Sequence, residues 1–235
     1  AFTTRTGKIG ASYTFIDSLD WRRDSSLNFQ HDGSQLTDTQ KETADLLIPG
    51  ISFTRTEADD TLYPTRGWRL YGKLHGAQES LLSTESFLQL NVAGKLVHSF
   101  GPGRFLFKLE AGTTLVDDVL DLPVSLQYFS GGDQSVRGYK YQSLGPINDE
   151  GEVTGGKHQL VTGIEYDFGI RPNWKLAVFA DAGNAFNDFT DMEFKKSAGV
   201  GVRWLSPIGP IRVDFASALD NDNDIRIHVS MGPDL

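Results

Sequence analysis

The sequence predicts an all-β fold, a transmembrane antiparallel β-barrel, and three observations support this prediction. Apolar residues recur at every second position along most of the chain. The residues between them are often charged or glycine, as expected for side chains that face a polar lumen. Short and long connections alternate between the predicted strands, which is typical of outer-membrane barrels with tight turns on one rim and long loops on the other.

The composition is that of a folded protein, and it excludes several classes. Hydrophobic residues make up 39% of the chain and charged residues 23%, which alone would also fit a soluble all-β protein. No apolar run reaches the roughly 20 residues of a membrane-spanning helix, and we expect any signal peptide to lie outside this sequence. Cysteine is absent, which excludes disulfides, and the net charge of −9 argues against a nucleic-acid partner.

In the first half of the chain, period-two alternation marks a series of strands, each with one apolar face. The apolar positions that define them are Ile9, Ala11, Tyr13 and Phe15; Leu27 and Phe29; the segment 46–56; Trp68, Leu70 and Leu74; Leu88, Leu90 and Val92; and Phe105, Phe107 and Leu109. Charged or polar residues stand between most of these positions.

The second half shows the same alternation more clearly. Its apolar positions are Leu160, Ile164, Tyr166 and Phe168; the segment 175–186; Ala198, Val200, Val202 and Trp204; Ile211, Val213 and Phe215; and Ile225, Ile227, Val229 and Met231. Both halves together predict about eleven strands, many of them close to the ~9–11 residues that a tilted strand needs to cross a bilayer.

The connections between these strands alternate in length. The tight turns are 101–103, 171–174 and 206–210, and the longer connections are 77–86, 187–195, 219–224 and the longest, 116–157. If the C-terminus lies on the periplasmic side, the long connections become extracellular loops. A soluble β-sandwich, the main alternative fold, has no reason to keep this alternation.

The longest connection contains GGDQSVRGY at 131–139. This segment resembles the (V/I)RG(Y/F) signature that Omp85-family barrels carry on an extracellular loop folded into the lumen. The resemblance implies that Val136, Arg137, Gly138 and Tyr139 form this loop motif, within an extracellular loop at 116–157.

Four further segments resemble motifs of the same family, in the family's order. They are YPTRGW at 63–68, GIEY at 163–166, FADAG at 179–183, in which Phe179, Asp181 and Gly183 match a strand motif, and PIGPIRVDFA at 207–216. The resemblance covers essentially all of residues 1–235. It implies the C-terminal part of a barrel of about sixteen strands, with the first strands and the POTRA domains outside this sequence. Within the family, GGDQSVRGYKYQSLGP, GVGVRWLSPIGPIRVDFA and the ending MGPDL are most similar to the outer-membrane subunit of the translocation and assembly module.

The alternation places Glu165 and Asp181 on the lumen-facing sets of their strands. A long loop folded into the lumen could bring Arg137 between them, where a guanidinium would make charge-assisted hydrogen bonds to both carboxylates. The alternative is an ordinary loop arginine with two unrelated lumen carboxylates.

The sequence offers no catalytic or metal-binding constellation. Its histidines share no metal-ligand spacing, and no nucleophile motif is present. Glu165 and Asp181 could pass for a glycosidase-like pair, but a facing arginine explains two acids in one region better. We therefore expect a non-enzymatic protein without a metal or cofactor.

The resemblance implies an outer-membrane translocation or assembly factor that acts on client outer-membrane proteins such as autotransporters. It also implies contacts with outer-membrane lipids and an inner-membrane, periplasm-spanning partner subunit. The last strand ends in Gly232-Pro233, and proline cannot donate to a strand ladder. We therefore predict a weak lateral seam along Ile225, Ile227, Val229, Met231 and Gly232. The alternatives are a two-partner secretion translocator, a general barrel-assembly factor and, with little support, an outer-membrane enzyme.

Overall fold

The computed structural model describes residues 3–35, 41–220 and 225–235 of the chain. Eleven antiparallel strands form one sheet and follow each other in chain order, which confirms the predicted fold class and strand number. The strands are β1 (Thr3–Ile16), β2 (Arg22–Gln35), β3 (Lys41–Ala58), β4 (Arg66–Ala77), β5 (Phe87–Phe100), β6 (Gly103–Leu115), β7 (His158–Arg171), β8 (Trp174–Phe186), β9 (Lys195–Ser206), β10 (Gly209–Ala218) and β11 (Ile225–Met231).

The two faces of the sheet differ in chemistry, as the alternation predicts. On β11, Ile225, Ile227 and Val229 are 70%, 65% and 61% exposed, and they form part of an outer apolar face. On β8, Phe179 and Asp181 point to the other face and are buried. Successive side chains of a strand point to opposite faces, so one face of the sheet is apolar and exposed, and the other collects buried charges.

Connections on one rim are tight and those on the other rim are long. The tight turns span residues 101–102, 172–173 and 207–208, whereas the opposite rim carries connections at 78–86, 116–157 and 187–194. Residues 221–224 of the predicted connection 219–224 lie outside the described residues. Within the described residues, no helix has the length and apolar character needed to cross a membrane.

The long connection 116–157 packs on the charged face through two apolar clusters. In the first, Leu122 and Leu126 from two short 3-10 turns contact Leu46, Ile48 and Phe87 of the sheet. The second cluster contains Val136, Tyr139 and Leu144 of the connection with Val161 and Ala218 of the sheet. The connection therefore spans the inner face from β3 to β10 instead of projecting away from the rim.

The last strand ends one residue earlier than predicted. β11 ends at Met231, so Gly232, which the sequence predicted as part of the seam, lies one residue beyond the strand. Gly232 has a φ of 132°, which an L side chain rarely adopts, and its N–H donates to the carbonyl of Pro210 at 3.2 Å. The chain leaves the ladder here and turns towards the inner face.

Candidate functional site

A compact turn presents Arg137 to the inner wall of the sheet. Gly131 and Gly132 have φ values of 95° and 103°, which glycine adopts without a steric penalty. The N–H of Ser135 donates to the carbonyl of Gly132 at 3.1 Å, and the N–H of Gly132 donates to the carbonyl of Val136 at 3.2 Å. These bonds fix the segment just before Arg137, so that its side chain enters the site from one direction.

Arg137 lies against both carboxylates that the sequence named as its partners. Its Nε donates to Asp181 Oδ2 at 2.7 Å and its Nη2 to Asp181 Oδ1 at 3.1 Å, which is a bidentate pair. Its Nη1 donates to Glu165 Oε2 at 2.9 Å. All three side chains are largely buried. Burial disfavours the charged guanidinium, but the hydrogen bonds with Asp181 and the negative charges of Asp181, Glu165 and Asp214 together outweigh it and raise the pKa of Arg137.

Two further residues belong to this site, and the sequence did not predict them as partners of Arg137. Asp214 of β10 accepts from Arg137 Nη1 at 3.0 Å, and Arg203 of β9 donates to Asp214 at 2.6 Å and to Glu165 at 2.9 Å. Both residues occupy the polar set of the predicted alternation, which was the available signal. Alternation gives the face of a residue but not its height along the barrel wall, so it could not place them beside Arg137.

Lys108 of β6 completes what we call the loop cluster: Arg137, Arg203, Lys108, Glu165, Asp181 and Asp214. Lys108 Nζ lies 3.7 Å from Asp181 Oδ1 and donates to the backbone carbonyl of Ser135 at 2.6 Å. Three positive side chains therefore face three negative ones, and the cluster is neutral. Because every carboxylate has at least one cationic partner, burial of these charges is compensated.

The predicted strand motif Phe179, Asp181 and Gly183 lies on the same face of β8. The guanidinium carbon of Arg137 stands 3.4 Å from the centre of the Phe179 ring, a cation–π contact that fixes the plane of the guanidinium. Gly199 of β9 leaves room for this ring, since a Cβ there would lie 2.4 Å from Phe179 Cζ. At Gly183 a Cβ would approach Val161 Cγ2 to 2.8 Å, so this glycine allows β8 to pack closely against Val161.

The rest of the loop motif packs around the charged cluster. Val136 is fully buried in the apolar cluster that it shares with Tyr139. The hydroxyl of Tyr139 donates towards Asp220 at 3.2 Å and the carbonyl of Lys196 at 3.3 Å. Burial, reinforced by the Asp220 carboxylate, raises the pKa of Tyr139 to about 12, so the phenol stays protonated and keeps its role as donor.

A second group of buried charged residues lies at the rim with the tight turns, and the sequence did not predict it. Arg104 of β6 donates from Nε to Asp167 at 3.0 Å and from Nη2 to Asp234 at 2.7 Å. Arg212 of β10 also pairs with Asp234. Tyr63 donates to Asp167 at 2.6 Å, and its ring lies 3.2 Å below the guanidinium carbon of Arg104.

We call Arg104, Arg212, Asp167, Asp234 and Tyr63 the rim cluster. Arg104 also donates to the carbonyl of Pro64, so the cluster joins the connection 59–65 and the segment after β11 to the wall. Side chains of both clusters line one polar cavity of about 160 Å³. The matched motif at 63–68 pointed to a turn, but nothing in the sequence indicated that Asp234 folds back onto the wall.

The predicted seam residues lie apart from both clusters. Ile225, Ile227, Val229 and Met231 point to the outer apolar face, away from Arg137. In the part of the chain that the structure describes, no group of three or more His, Asp or Glu side chains could hold a metal ion. The carboxylates of the two clusters are instead paired with guanidinium groups. This arrangement can fix a segment on the wall, and it engages these carboxylates in ion pairs.

Comparison with known proteins identifies the family. A family model described as the Omp85 superfamily domain matches residues 2–234. Among curated proteins, the outer membrane protein assembly factor BamA from Nitratidesulfovibrio vulgaris is 28% identical over 191 residues. That match covers 77% of this chain and 24% of the relative, so the chain spans about a quarter of the relative's length.

Solved structures with the same fold agree. The crystal structure of BamA from Haemophilus ducreyi lacking POTRA domains 1–3 aligns with a TM-score of 0.81 at 16% identity, over 99% of this chain and 55% of that one. CdiB from Acinetobacter baumannii aligns with a TM-score of 0.64 at 12% identity, over 99% of this chain and 42% of that one. These likenesses confirm the predicted barrel fold, and the family match with the outer-membrane relative confirms the predicted outer-membrane location. The chain belongs to the Omp85 superfamily.

Proposed function

We propose that this chain is the C-terminal barrel part of an outer-membrane translocation or assembly factor, without enzymatic activity, that presents its last strand to client proteins. The observation that carries the proposal is the place where β11 ends. Its ladder with β10 stops at the pair Ile211–Met231, although β10 pairs with β9 as far as Gly209, because the chain turns away at Gly232. A partner strand on the other edge of β11 would find no ladder groups beyond Met231, and a seam with fewer backbone pairs opens at lower cost.

The loop cluster supports this proposal. In our interpretation, residues 116–157 form an extracellular loop that Arg137 holds against the inner wall through Glu165 and Asp181. A loop fixed in this way partly fills the lumen, which favours an exit between strands over an exit along the barrel axis. The edge of β11 would then template a client strand by β-augmentation.

Within the family, we propose that the chain acts as TamA, the outer-membrane subunit of the translocation and assembly module, with autotransporters among its clients. Support comes from GGDQSVRGYKYQSLGP, GVGVRWLSPIGPIRVDFA and the ending MGPDL. An inner-membrane, periplasm-spanning partner would then dock through POTRA domains outside this sequence. The similarity to BamA favours a general barrel-assembly factor as the second candidate, and genetic essentiality distinguishes the two.

Photo-crosslinking residues at Ile225, Ile227 and Val229 of the intact protein test the shared part of both proposals. We expect each to capture precursors of outer-membrane proteins in living cells, because these side chains border the proposed seam. Matched probes at Phe105 and Phe107 on β6, which also lie on the outer face but away from the seam, should capture lipid only. Capture of lipid alone at all five positions, with the protein correctly inserted, would rule out a seam that handles clients.

A further inference from the structure

The last hairpin holds the loop motif through two neighbouring side chains. Asp214 of β10 and His228 of β11 are direct cross-strand partners, and both point to the inner face. Asp214 accepts from the Arg137 side chain at 3.0 Å, and His228 contacts the next residue, Gly138. The final strand is therefore part of the site that receives the loop.

His228 is bonded to both ends of the turn that carries Arg137. Its Nε2 accepts from the N–H of Gly138 at 2.9 Å, and its Nδ1 is hydrogen-bonded to the carboxylate of Asp133. Because Nε2 accepts, Nδ1 is the ring nitrogen that donates, and its partner is the carboxylate of Asp133. The ring is 7% exposed, and packing holds it in this orientation.

The backbone of Gly138 makes the contact possible. Its φ is 92°, and a Cβ at this position would lie 3.0 Å from the backbone nitrogen of Ala218. Only glycine lets the loop backbone come this close to β10 and turn its N–H towards His228. The backbone conformation of Gly138 thus allows the hydrogen bond to His228 of β11 as well as the ion pairs of Arg137.

We infer that His228 is a positioning residue that couples docking of the 133–138 turn to the position of the last strand. If β11 separates from the docked turn, both side-chain hydrogen bonds of His228 break and the turn is released. Conversely, release of the turn removes both side-chain hydrogen bonds described for His228. The inference rests on the proposed function, because it gives the loop a role only if β11 borders a seam.

The experiment uses intact protein in lipid nanodiscs with spin labels at Tyr141→Cys, on the loop, and Ile208→Cys, on a tight turn. Both native side chains are strongly exposed, and the described chain has no native cysteine to compete. We expect one narrow distance distribution in the parent protein. His228→Phe keeps the ring shape but removes both bonds, and it should raise the released-loop population roughly fivefold or more, as for a modest coupling between two sites.

Two further variants separate coupling from a general loss of packing. His228→Gln supplies an acceptor for Gly138 and a donor for Asp133, so it should restore much of the narrow distribution. Ser230→Ala, two residues along β11 on the same face, should leave the distribution unchanged. The inference is overturned if His228→Phe folds and leaves the loop distribution as it was, or if His228→Gln is no better than His228→Phe.

The coupling must also act in reverse, since linkage is reciprocal. Asp133→Ala changes a half-exposed loop residue and should speed backbone hydrogen exchange at residues 225–231 roughly fivefold or more, without a comparable change in β6. Unchanged exchange in β11 would contradict the inference even if His228→Phe proved unable to fold. If the loop and exchange measurements show the coupling but the photo-crosslinker at Ile227 captures no client, only the proposed function is wrong. If Ile227 captures clients but these measurements show no coupling, only the inference about His228 is wrong.

Discussion

The loop cluster and the rim cluster are built from the same combination: an arginine that stacks on an aromatic ring and pairs with carboxylates. They differ in which part of the chain supplies the arginine and which supplies the acids. Arg137 stacks on Phe179 and pairs with carboxylates, and Arg104 stacks on Tyr63 and pairs with carboxylates. In the loop cluster the arginine comes from the connection and the wall supplies the acids. In the rim cluster the wall supplies the arginine, and the segment after β11 supplies the acid, Asp234.

The difference shows what each cluster stabilises. Arg137 has carboxylate partners on three strands, β7, β8 and β10, so the loop is tied to a wide part of the wall. Asp234 is tied to β6 and β10 through Arg104 and Arg212, but Arg104 keeps Asp167 if Asp234 leaves. We therefore expect loss of Arg137 to disrupt the whole loop cluster. Loss of Asp234 should release only the segment after β11, with a smaller change in the free energy of unfolding.

Removal of Arg137 should give the largest effect. Arg137→Ala leaves Lys108 as the cationic partner of Asp181 among the described residues and removes one partner each from Glu165 and Asp214, at a cost of roughly 3–5 kcal/mol in the free energy of unfolding. Denaturant unfolding of the intact protein, with proteolysis of the exposed loop residues 148–152 as a second readout, measures it. Arg22→Ala, at an exposed ion pair, is the control and should change stability by less than about 1 kcal/mol.

Loss of the Asp234 charge should have the next largest effect. Asp234→Asn removes the charge that Arg104 and Arg212 share, and we expect a loss of roughly 1.5–3 kcal/mol, as for a hydrogen bond to a charged group. The same unfolding assay measures it, with Glu57→Gln at an exposed pair as the control. An effect equal to that of Arg137→Ala would show that the two clusters do not differ as described.

Space in the loop cluster can be tested without changing a charge. At Gly201 a Cβ would lie 1.9 Å from Asp214 Oδ1 and 2.5 Å from Arg203 Nη1. Gly201→Ala should therefore cost about 1–3 kcal/mol through overpacking. Gly72→Ala, where no atom lies within 4 Å of the added carbon, should be close to neutral. Equal stability of the two variants would mean that the cluster can shift to accept a methyl group.

The smallest effect concerns the connection that carries Pro64 to the rim cluster. The Thr65 hydroxyl, helped by the N–H of Arg66, lowers the pKa of Asp59 to about 2. The folded state thus favours the carboxylate. This stabilisation is complete above the ordinary aspartate pKa and is lost as the pH falls from there through about 2. Thr65→Val should raise the pKa of Asp59 in an NMR titration, and an unchanged pKa would exclude the hydroxyl as the main cause.

The sequence alone predicted well which face of the sheet each side chain points to. It predicted poorly which side chains of neighbouring strands lie at the same height along the wall. The eleven strands follow from alternation, because a membrane barrel needs one apolar and one polar face. Arg137, Glu165 and Asp181 were brought together by resemblance to a motif. Residues to which no motif assigned a role, such as Arg203 and His228, were placed on the correct face but given no partner.

Height along the wall depends on register, which no single strand encodes. Gly201 pairs with Asp214, and Asp214 in turn pairs with His228. These pairings are set by the turns and by the fit of every neighbouring strand. Asp234 was harder still, because its position depends on the turn at Gly232 after the ladder has ended. Alternation therefore cannot predict which residues of the connections and of the segment after β11 contact the wall.

The glycines that make room for the loop cluster have a mechanical consequence. Gly199 and Gly201 lie on one face of β9, where side chains would otherwise stiffen the sheet by cross-strand packing. At Gly199 and Gly201, the rigidity of the wall therefore comes from the charged side chains of the loop cluster and from the Phe179 ring, and not from side chains of β9. Undocking the loop would leave a compliant band in the wall two strands from β11, and the barrel could flex there without breaking a backbone ladder.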